Sequence, residues 1–396
     1  MRKLKDSIVL HQTEHNQVHS YVLQQGTKYY ELSPETFYIL SLIQQGMDEA
    51  DIFQEIRKKN AAIEESEIEA LINYLDSERL FEGQQEPQKK RMSDMWGKKT
   101  LLTPEQMGKL PSCKFFFQKP VMIAVFLFMA FWLAEVLNKE YFFKTVGYIY
   151  EFSVGNYILV FLVIVGLSLA HETGHIMALL YHGYSPGEFG CGFYLTFPSF
   201  YVDVSKANLL PSSKRILVDI GGIYFQVMAI LLLITANLWL QSKSVAFSCY
   251  LSTLMAIANL LPFTKSDGYF IFCDMLGSND PFHDAISIMK NRKPIRHLTK
   301  NQLAVLLLSL FYALCMVALV VSCLLRLPAS FKYLSRAIWI LKANPIQSVD
   351  RNLTNIMPFM LNVLPSFVII LFVRNIVMPV LKEATLVKKK DDSLRV

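Results

Sequence analysis

The chain has 396 residues, of which 53% are hydrophobic and only 18% are charged. Soluble domains carry about 25% charged residues, so this composition excludes an ordinary water-soluble enzyme. The 28 Phe, 18 Tyr and 4 Trp residues exclude a disordered chain. The net charge of +6 is small and spread along the sequence, which argues against a nucleic-acid partner.

Residues 1–83 predict a small cytoplasmic α+β domain of the winged-helix type. Residues 18–32 alternate in a strand-like way around 24–27 and predict a β-hairpin. Ser33 and Pro34 predict a helix start, as N-cap and first helical residue, and two more helices are expected at 49–59 and 64–80. The basic N-terminus is not followed by an apolar segment, so we expect no secretory signal and a cytoplasmic location for this domain.

Residues 84–119 are polar and proline-containing and predict a linker, while 120–381 predict the membrane domain and 382–396 a basic cytoplasmic tail. Segments of around 20 apolar residues are long enough to cross a bilayer. The shorter stretches 141–152 and 331–341 are amphipathic and are expected at the membrane interface. The predicted fold class is therefore mainly α, a multi-pass membrane helix bundle in a lipid bilayer, with about six transmembrane helices at 120–137, 156–181, 215–240, 245–264, 302–325 and 355–381.

The second predicted span contains the string His171-Glu172-Thr173-Gly174-His175. Residues four apart lie on one face of a helix, so both imidazoles can reach one Zn²⁺ ion while Glu172 lies beside them. Zinc lowers the pKa of a bound water towards ~7, and a carboxylate can then take its proton. Ionisable residues inside an apolar span are costly and usually functional, which favours a metal site over a pair of surface histidines.

A third ligand is expected from another segment at the same depth, and Asp267 follows the end of the fourth predicted span. In the six-span topology, the second and fourth spans run in the same direction. His171, His175 and Asp267 are then all expected towards the cytoplasmic side. The alternative is that Asp267 belongs to a turn, because Asp-Gly is a common turn dipeptide.

These strings together carry a family resemblance. The HExxH string in a membrane helix, followed later by Asn259, Pro262 and Asp267-Gly268, resembles the site-2 protease family of intramembrane zinc metalloproteases. The resemblance covers roughly 156–274. Residues 190–205, followed by Pro211, Arg215 and the glycine pair at 221–222, are similar to the branch described as peptide zinc metalloproteases.

The resemblance implies a role for each matching residue. His171, His175 and Asp267 would be zinc ligands, Glu172 would be the general base, and Asn259 would bind the substrate by holding its backbone extended. Two residues depart from the family pattern, because leucine is common where this chain has Ser266 and asparagine is common where it has Gln226.

The N-terminal region resembles the PqqD-like domains that recognise leader peptides of ribosomally made, modified peptides. The hairpin at 21–32 and the helix start at 32–35 carry this resemblance. It implies that a peptide is added as a strand at the sheet edge, with a helix as the groove wall. A winged-helix scaffold without a ligand is an equally open interpretation.

The expected function is an intramembrane zinc metalloendopeptidase that cleaves a modified-peptide precursor, such as a bacteriocin-like product. An ABC transporter or a peptide-modifying enzyme of the same pathway is the expected partner. One alternative is regulated proteolysis of a membrane-bound signalling protein. Another is a non-proteolytic peptide export or immunity protein with a structural zinc.

Two further expectations concern a strand-like loop at 183–205 and an intramembrane Asp219 partnered by Lys214 or Arg215.

Overall fold

The computed structural model describes residues 4–15, 18–26, 28–59, 72–73, 75–76, 80–81, 95–194, 197–261, 266–278, 280–290 and 298–343. The chain divides into two compact units. The first comprises Met1–Leu110 and Gly183–Lys214, and the second comprises Pro111–His182 and Arg215–Val396.

The first unit begins with a three-stranded antiparallel sheet in the order β1 (Ile8–His15), β2 (Val18–Gln25) and β3 (Lys28–Leu32). The predicted hairpin is confirmed as β2–β3, and Gly26 supplies the positive φ of 61° at its turn. Strand β1 was not predicted, because its pairing with β2 along its whole length is a property of the sheet rather than of its own sequence.

Two helices follow the sheet, α1 (Pro34–Gln44) and α2 (Glu49–Lys59). The predicted helix start is confirmed, since the backbone N–H of Thr36 donates to Oγ of Ser33 at 3.1 Å. Leu23, Leu40 and Ile52 are among the buried residues that join the sheet and the helices in one core. The third predicted helix, 64–80, lies largely outside the described residues.

A second three-stranded sheet completes the first unit, in the order β4 (Met95–Leu102), β5 (Phe189–Tyr194) and β6 (Phe197–Val202). The strand-like loop predicted at 183–205 is confirmed as the β5–β6 hairpin. Strand β4 lies in the stretch predicted as a linker. It was not predicted as a strand because its pairing partner, β5, is far away in the sequence. The carboxylate of Glu188 accepts hydrogen bonds from Thr100 at 2.8 Å and Tyr201 at 3.0 Å.

Helices make up most of the described second unit. It follows α3 (Pro104–Met107), a single turn of helix in the first unit, and contains α4 (Lys119–Val136), α5 (Lys139–Gly147) and α6 (Val154–Tyr181). Beyond the second sheet lie α7 (Ser212–Leu240), α8 (Lys243–Leu260), α9 (Asp267–Leu276), α10 (Pro281–Lys290) and α11 (Lys300–Ala343).

Four of the described helices are long and apolar enough to cross a membrane: Lys119–Val136, Val154–Tyr181, Ser212–Leu240 and Lys300–Ser322. They confirm a multi-pass helical membrane fold. The fourth predicted span is the helix α8, but it is not among these four, and buried hydroxyl residues such as Ser248 and Thr253 lower its hydropathy. The sixth predicted span, 355–381, lies outside the described residues.

The prediction of a separate amphipathic stretch at 331–341 is wrong. These residues continue helix α11, which runs without a break for 44 residues from Lys300 to Ala343. Pro328 lies inside the helix, where proline removes one backbone hydrogen bond, but here it does not end the helix. The other short stretch, 141–152, is confirmed as short: it contains most of α5 and a turn of 3₁₀ helix at Tyr148–Glu151.

Helices α6 and α7 approach each other closely at Gly174 and Gly221. A Cβ atom on Gly174 would overlap the carbonyl oxygen of Gly221, so only glycine allows the two backbones to meet here. This close approach lies one residue from His175 on α6 and one residue from Gly222 on α7. It brings the backbone of α7 against the histidine-bearing face of α6.

Candidate metal centre

Helix α6 carries both histidines of the HExxH string on one face. Their Nε2 atoms lie 3.2 Å apart, and the side chains are 13% exposed for His171 and 7% exposed for His175. The helical spacing of four residues thus brings the two imidazoles together, as the sequence predicts.

Asp267 is the first residue of α9 and completes the group. Its Oδ2 atom lies 3.1 Å from Nε2 of His171 and 3.5 Å from Nε2 of His175. Among the described residues, these three side chains form a group whose ligand atoms all lie within 4.8 Å of one another. Residues from two separate helices therefore converge on one point.

The outer nitrogen of each imidazole has its own hydrogen-bond partner. Nδ1 of His175 lies 2.8 Å from the carbonyl oxygen of Val218, which can only accept a hydrogen bond. Nδ1 of His171 lies 3.1 Å from Oε1 of Gln226, whose amide nitrogen donates to the carbonyl oxygen of Ser252. These partners assign the imidazole proton to Nδ1, so both Nε2 atoms present lone pairs to the carboxylate of Asp267.

Asn259 contacts the third member of the group. Its side-chain nitrogen donates a hydrogen bond of 2.8 Å to Oδ2 of Asp267. Asn259 therefore lies at the predicted site, where it orients the carboxylate of Asp267. Its expected role in holding a substrate backbone stays a prediction.

The backbone of α7 lies directly against the two imidazoles at Gly222. A Cβ atom on Gly222 would overlap Nε2 of His175 and would lie 2.8 Å from Nε2 of His171. A residue with any side chain at this position would therefore displace the imidazoles. Glycine at 222 leaves the space in which the two Nε2 atoms meet.

Glu172 follows His171 on α6 and is half-buried. Its carboxylate interacts electrostatically with the imidazole of His175, one of the three residues of the group. Its expected role as general base stays a prediction.

The donor set fits a divalent cation. Two imidazole nitrogens and one carboxylate oxygen are the three protein ligands of one type of catalytic zinc site. Without a proton or a cation between them, three lone-pair atoms separated by 3.1–3.5 Å would repel one another. A metal ion held by His171, His175 and Asp267 would remove that repulsion.

Sequence reasoning missed the supporting residues on α7. Gln226 was noted only as a departure from the family pattern, and Val218 and Gly222 were given no role in holding the imidazoles. The available signal was their spacing, because 218, 222 and 226 are four apart and share one face of a helix.

No family model and no solved structure matches the chain. It is similar to a curated protein of Bacillus subtilis (strain 168) named "Putative peptide zinc metalloprotease protein YydH". The two are 32% identical over 115 residues, a stretch that covers 28% of this chain and 44% of the relative. The match thus spans less than half of the relative's length.

Proposed function

We propose that this chain is an intramembrane zinc metalloendopeptidase. The observation that carries the proposal is the convergence of two imidazole Nε2 atoms and one carboxylate oxygen from separate helices. The printed name of the Bacillus relative, a peptide zinc metalloprotease, supports both the metal and the reaction class. The four membrane-crossing helices support a location of this chemistry within the bilayer, since the helix α6 carries two of the three ligands.

Each residue of the site has a role in peptide hydrolysis. When bound, zinc polarises a peptide carbonyl and makes water acidic enough to attack near neutral pH. The Glu172 carboxylate accepts the proton of the attacking water and delivers it to the nitrogen of the leaving amine. Gln226 and the Val218 carbonyl hold the imidazoles in one tautomer, and Asn259 holds Asp267.

The proposed substrate is the precursor or leader of a ribosomally made, modified peptide. The first sheet supports this proposal because β1 and β3 are its edge strands and an extended peptide can be added to a sheet edge. Helix α1 packs on that sheet, with the rings of Tyr21 and Phe37 4.7 Å apart, as the wall of a peptide groove would. This domain would face the cytoplasm, where such precursors are made.

The test compares wild type with Glu172→Gln, a substitution that keeps the shape but removes the base. Both proteins would be purified in detergent, loaded with zinc and incubated with a candidate precursor peptide. Mass spectrometry would identify the products. We expect wild type to cleave at one site, Glu172→Gln to bind zinc without cleaving, and a chelator to abolish cleavage by wild type.

Glu135→Gln is the matched control, because Glu135 is an exposed acid on a different helix, α4. This variant should cleave at the wild-type rate. Cleavage by Glu172→Gln would exclude Glu172 as the base. Zinc binding without cleavage in any of the proteins would instead favour a peptide export or immunity protein with a structural zinc.

A further inference from the structure

An ion pair joins α7 to α9 away from the three metal-binding residues. The guanidinium of Arg215 donates to Oδ1 of Asp274 from two nitrogens, Nε at 2.8 Å and Nη2 at 2.6 Å. The side chains are 19% and 11% exposed. A planar guanidinium that donates from two nitrogens restrains both distance and orientation, which a single hydrogen bond from lysine cannot do.

On both helices, the ion pair lies seven residues from a residue at the candidate metal centre. Arg215 precedes Gly222 by seven residues on α7, and Asp267 precedes Asp274 by seven residues on α9. Seven residues are two helical turns, or about 10 Å, and return to the same face. The two helices therefore run in opposite directions here and meet at two levels. One level holds the ion pair, and at the other Asp267 on α9 and Gly222 on α7 both lie close to the two imidazoles.

Because of this spacing, the ion pair restrains the register of α9 along α7. A slip of α9 by one turn along α7 would move Asp267 by about 5.4 Å, well beyond ligand distance of the imidazoles. It would also separate Arg215 from Asp274, so the pair opposes that slip. Asp219 lies one turn after Arg215, and electrostatic interactions link it to Arg215, Asp274 and Asp267. A slip would thus leave the Arg215 charge beside Asp219 without its main partner.

We infer that Arg215 and Asp274 are positioning residues of the metal centre, because their ion pair sets the register that brings Asp267 to His171 and His175. The inference rests on the proposed function for the presence of zinc. It goes beyond that function by assigning a role to two residues outside the group formed by His171, His175 and Asp267.

The test measures zinc affinity of the purified full chain by competition with a chromophoric chelator, independently of cleavage. Asp274→Asn should lower the affinity by about tenfold, because without the ion pair Asp267 is no longer restrained at ligand distance from the imidazoles. Arg215→Lys keeps the charge but donates from one nitrogen only and should give an intermediate loss. The charge exchange Arg215→Asp with Asp274→Arg should recover part of the affinity.

Glu151→Gln is the matched control, because Glu151 pairs with Lys243 in an exposed ion pair. It should leave zinc affinity unchanged. The thermal unfolding of each zinc-free variant is measured in parallel, since a merely structural pair would lower that midpoint and leave the affinity of the folded protein unaltered. Should Asp274→Asn fail to fold, the milder Arg215→Lys makes the same comparison.

The outcomes separate the inference from the function on which it rests. Zinc affinities of Asp274→Asn and Arg215→Lys within roughly twofold of wild type would overturn the positioning role and leave the proposed function standing. A wild-type protein that binds no zinc would overturn both. Reduced affinity with a recovered value in the charge exchange supports the inference.

Discussion

The α-carbon of Gly222 faces the two imidazole nitrogens at which zinc would bind, and a Cβ atom there would overlap Nε2 of His175. The first prediction follows from this relationship. Gly222→Ala should lower zinc affinity by more than about tenfold, because the methyl group displaces the histidines from their shared position. Chelator competition on the purified variant measures this change.

Gly166→Ala is the matched control for Gly222→Ala. Gly166 lies on α6, the helix that carries the histidines, and a Cβ atom there would meet nothing within 4 Å. The control should bind zinc like wild type. Equal zinc affinity in both variants would show that the imidazoles can move aside at no cost.

The second prediction concerns Gln226, whose carbonyl oxygen lies 3.1 Å from Nδ1 of His171. Gln226→Met keeps the length of the side chain but removes the acceptor. We expect zinc affinity to fall by about 10–100-fold, because His171 loses the partner that selects its tautomer. Ser248→Ala, which removes a buried hydroxyl bonded to the Ser244 carbonyl, serves as control, and its affinity should not change. Unchanged binding in Gln226→Met would mean that the ring is held by packing alone.

The third prediction distinguishes two roles of Asn259. If its bond to Asp267 is its main task, Asn259→Ala lowers zinc affinity as well as kcat/KM. If Asn259 serves the substrate alone, KM rises while zinc affinity stays at the wild-type value. We expect the first result, measured by chelator competition beside steady-state cleavage. Asn237→Ala removes a side chain that accepts from the Ser242 backbone, and it should alter neither quantity.

The fourth prediction concerns the stability of the helix core. The indole N–H of Trp132 on α4 donates to Oγ1 of Thr253 on α8 at 2.9 Å, in a buried position. Thr253→Val keeps the shape but leaves the indole N–H unpaired, which should cost about 1–3 kcal/mol of unfolding free energy. Denaturant or thermal unfolding in detergent measures the loss. Thr235→Val is the control, because Thr235 is exposed and bonds only within its own helix, so a loss of equal size there would contradict the explanation.

Local patterns in the sequence were enough to find the histidines. A spacing of four residues places two side chains on one helix face wherever the helix packs, so His171 and His175 could be paired without knowing the fold. Asp267 was found from its place at the end of the fourth predicted span, at the depth expected for the histidines, and from the family resemblance. In both cases the decisive information lies within one helix or at its end.

The residues that were missed depend on packing between distant segments. Gln226 and Val218 act on imidazoles carried by another helix. Arg215 was expected beside Asp219, but its ion pair with Asp274, 59 residues later in the sequence, was not predicted. Strand β4 pairs with β5 across a larger gap, with Lys99 opposite Cys191, so a polar, proline-containing stretch predicted as a linker contains a strand. Periodicity within a segment contains no information on which neighbour it will meet.

Helix α11 is longer than a bilayer crossing requires. Its 44 residues give a length of about 66 Å, against a hydrocarbon thickness of roughly 30 Å. Even at the steepest tilt usual for such helices, about 40°, some 50 Å would remain along the membrane normal. If its apolar first half crosses the bilayer, its second half must emerge into water as a stalk. Lys332, Arg336 and Lys342 would then lie on this extension of the helix rather than in the hydrocarbon.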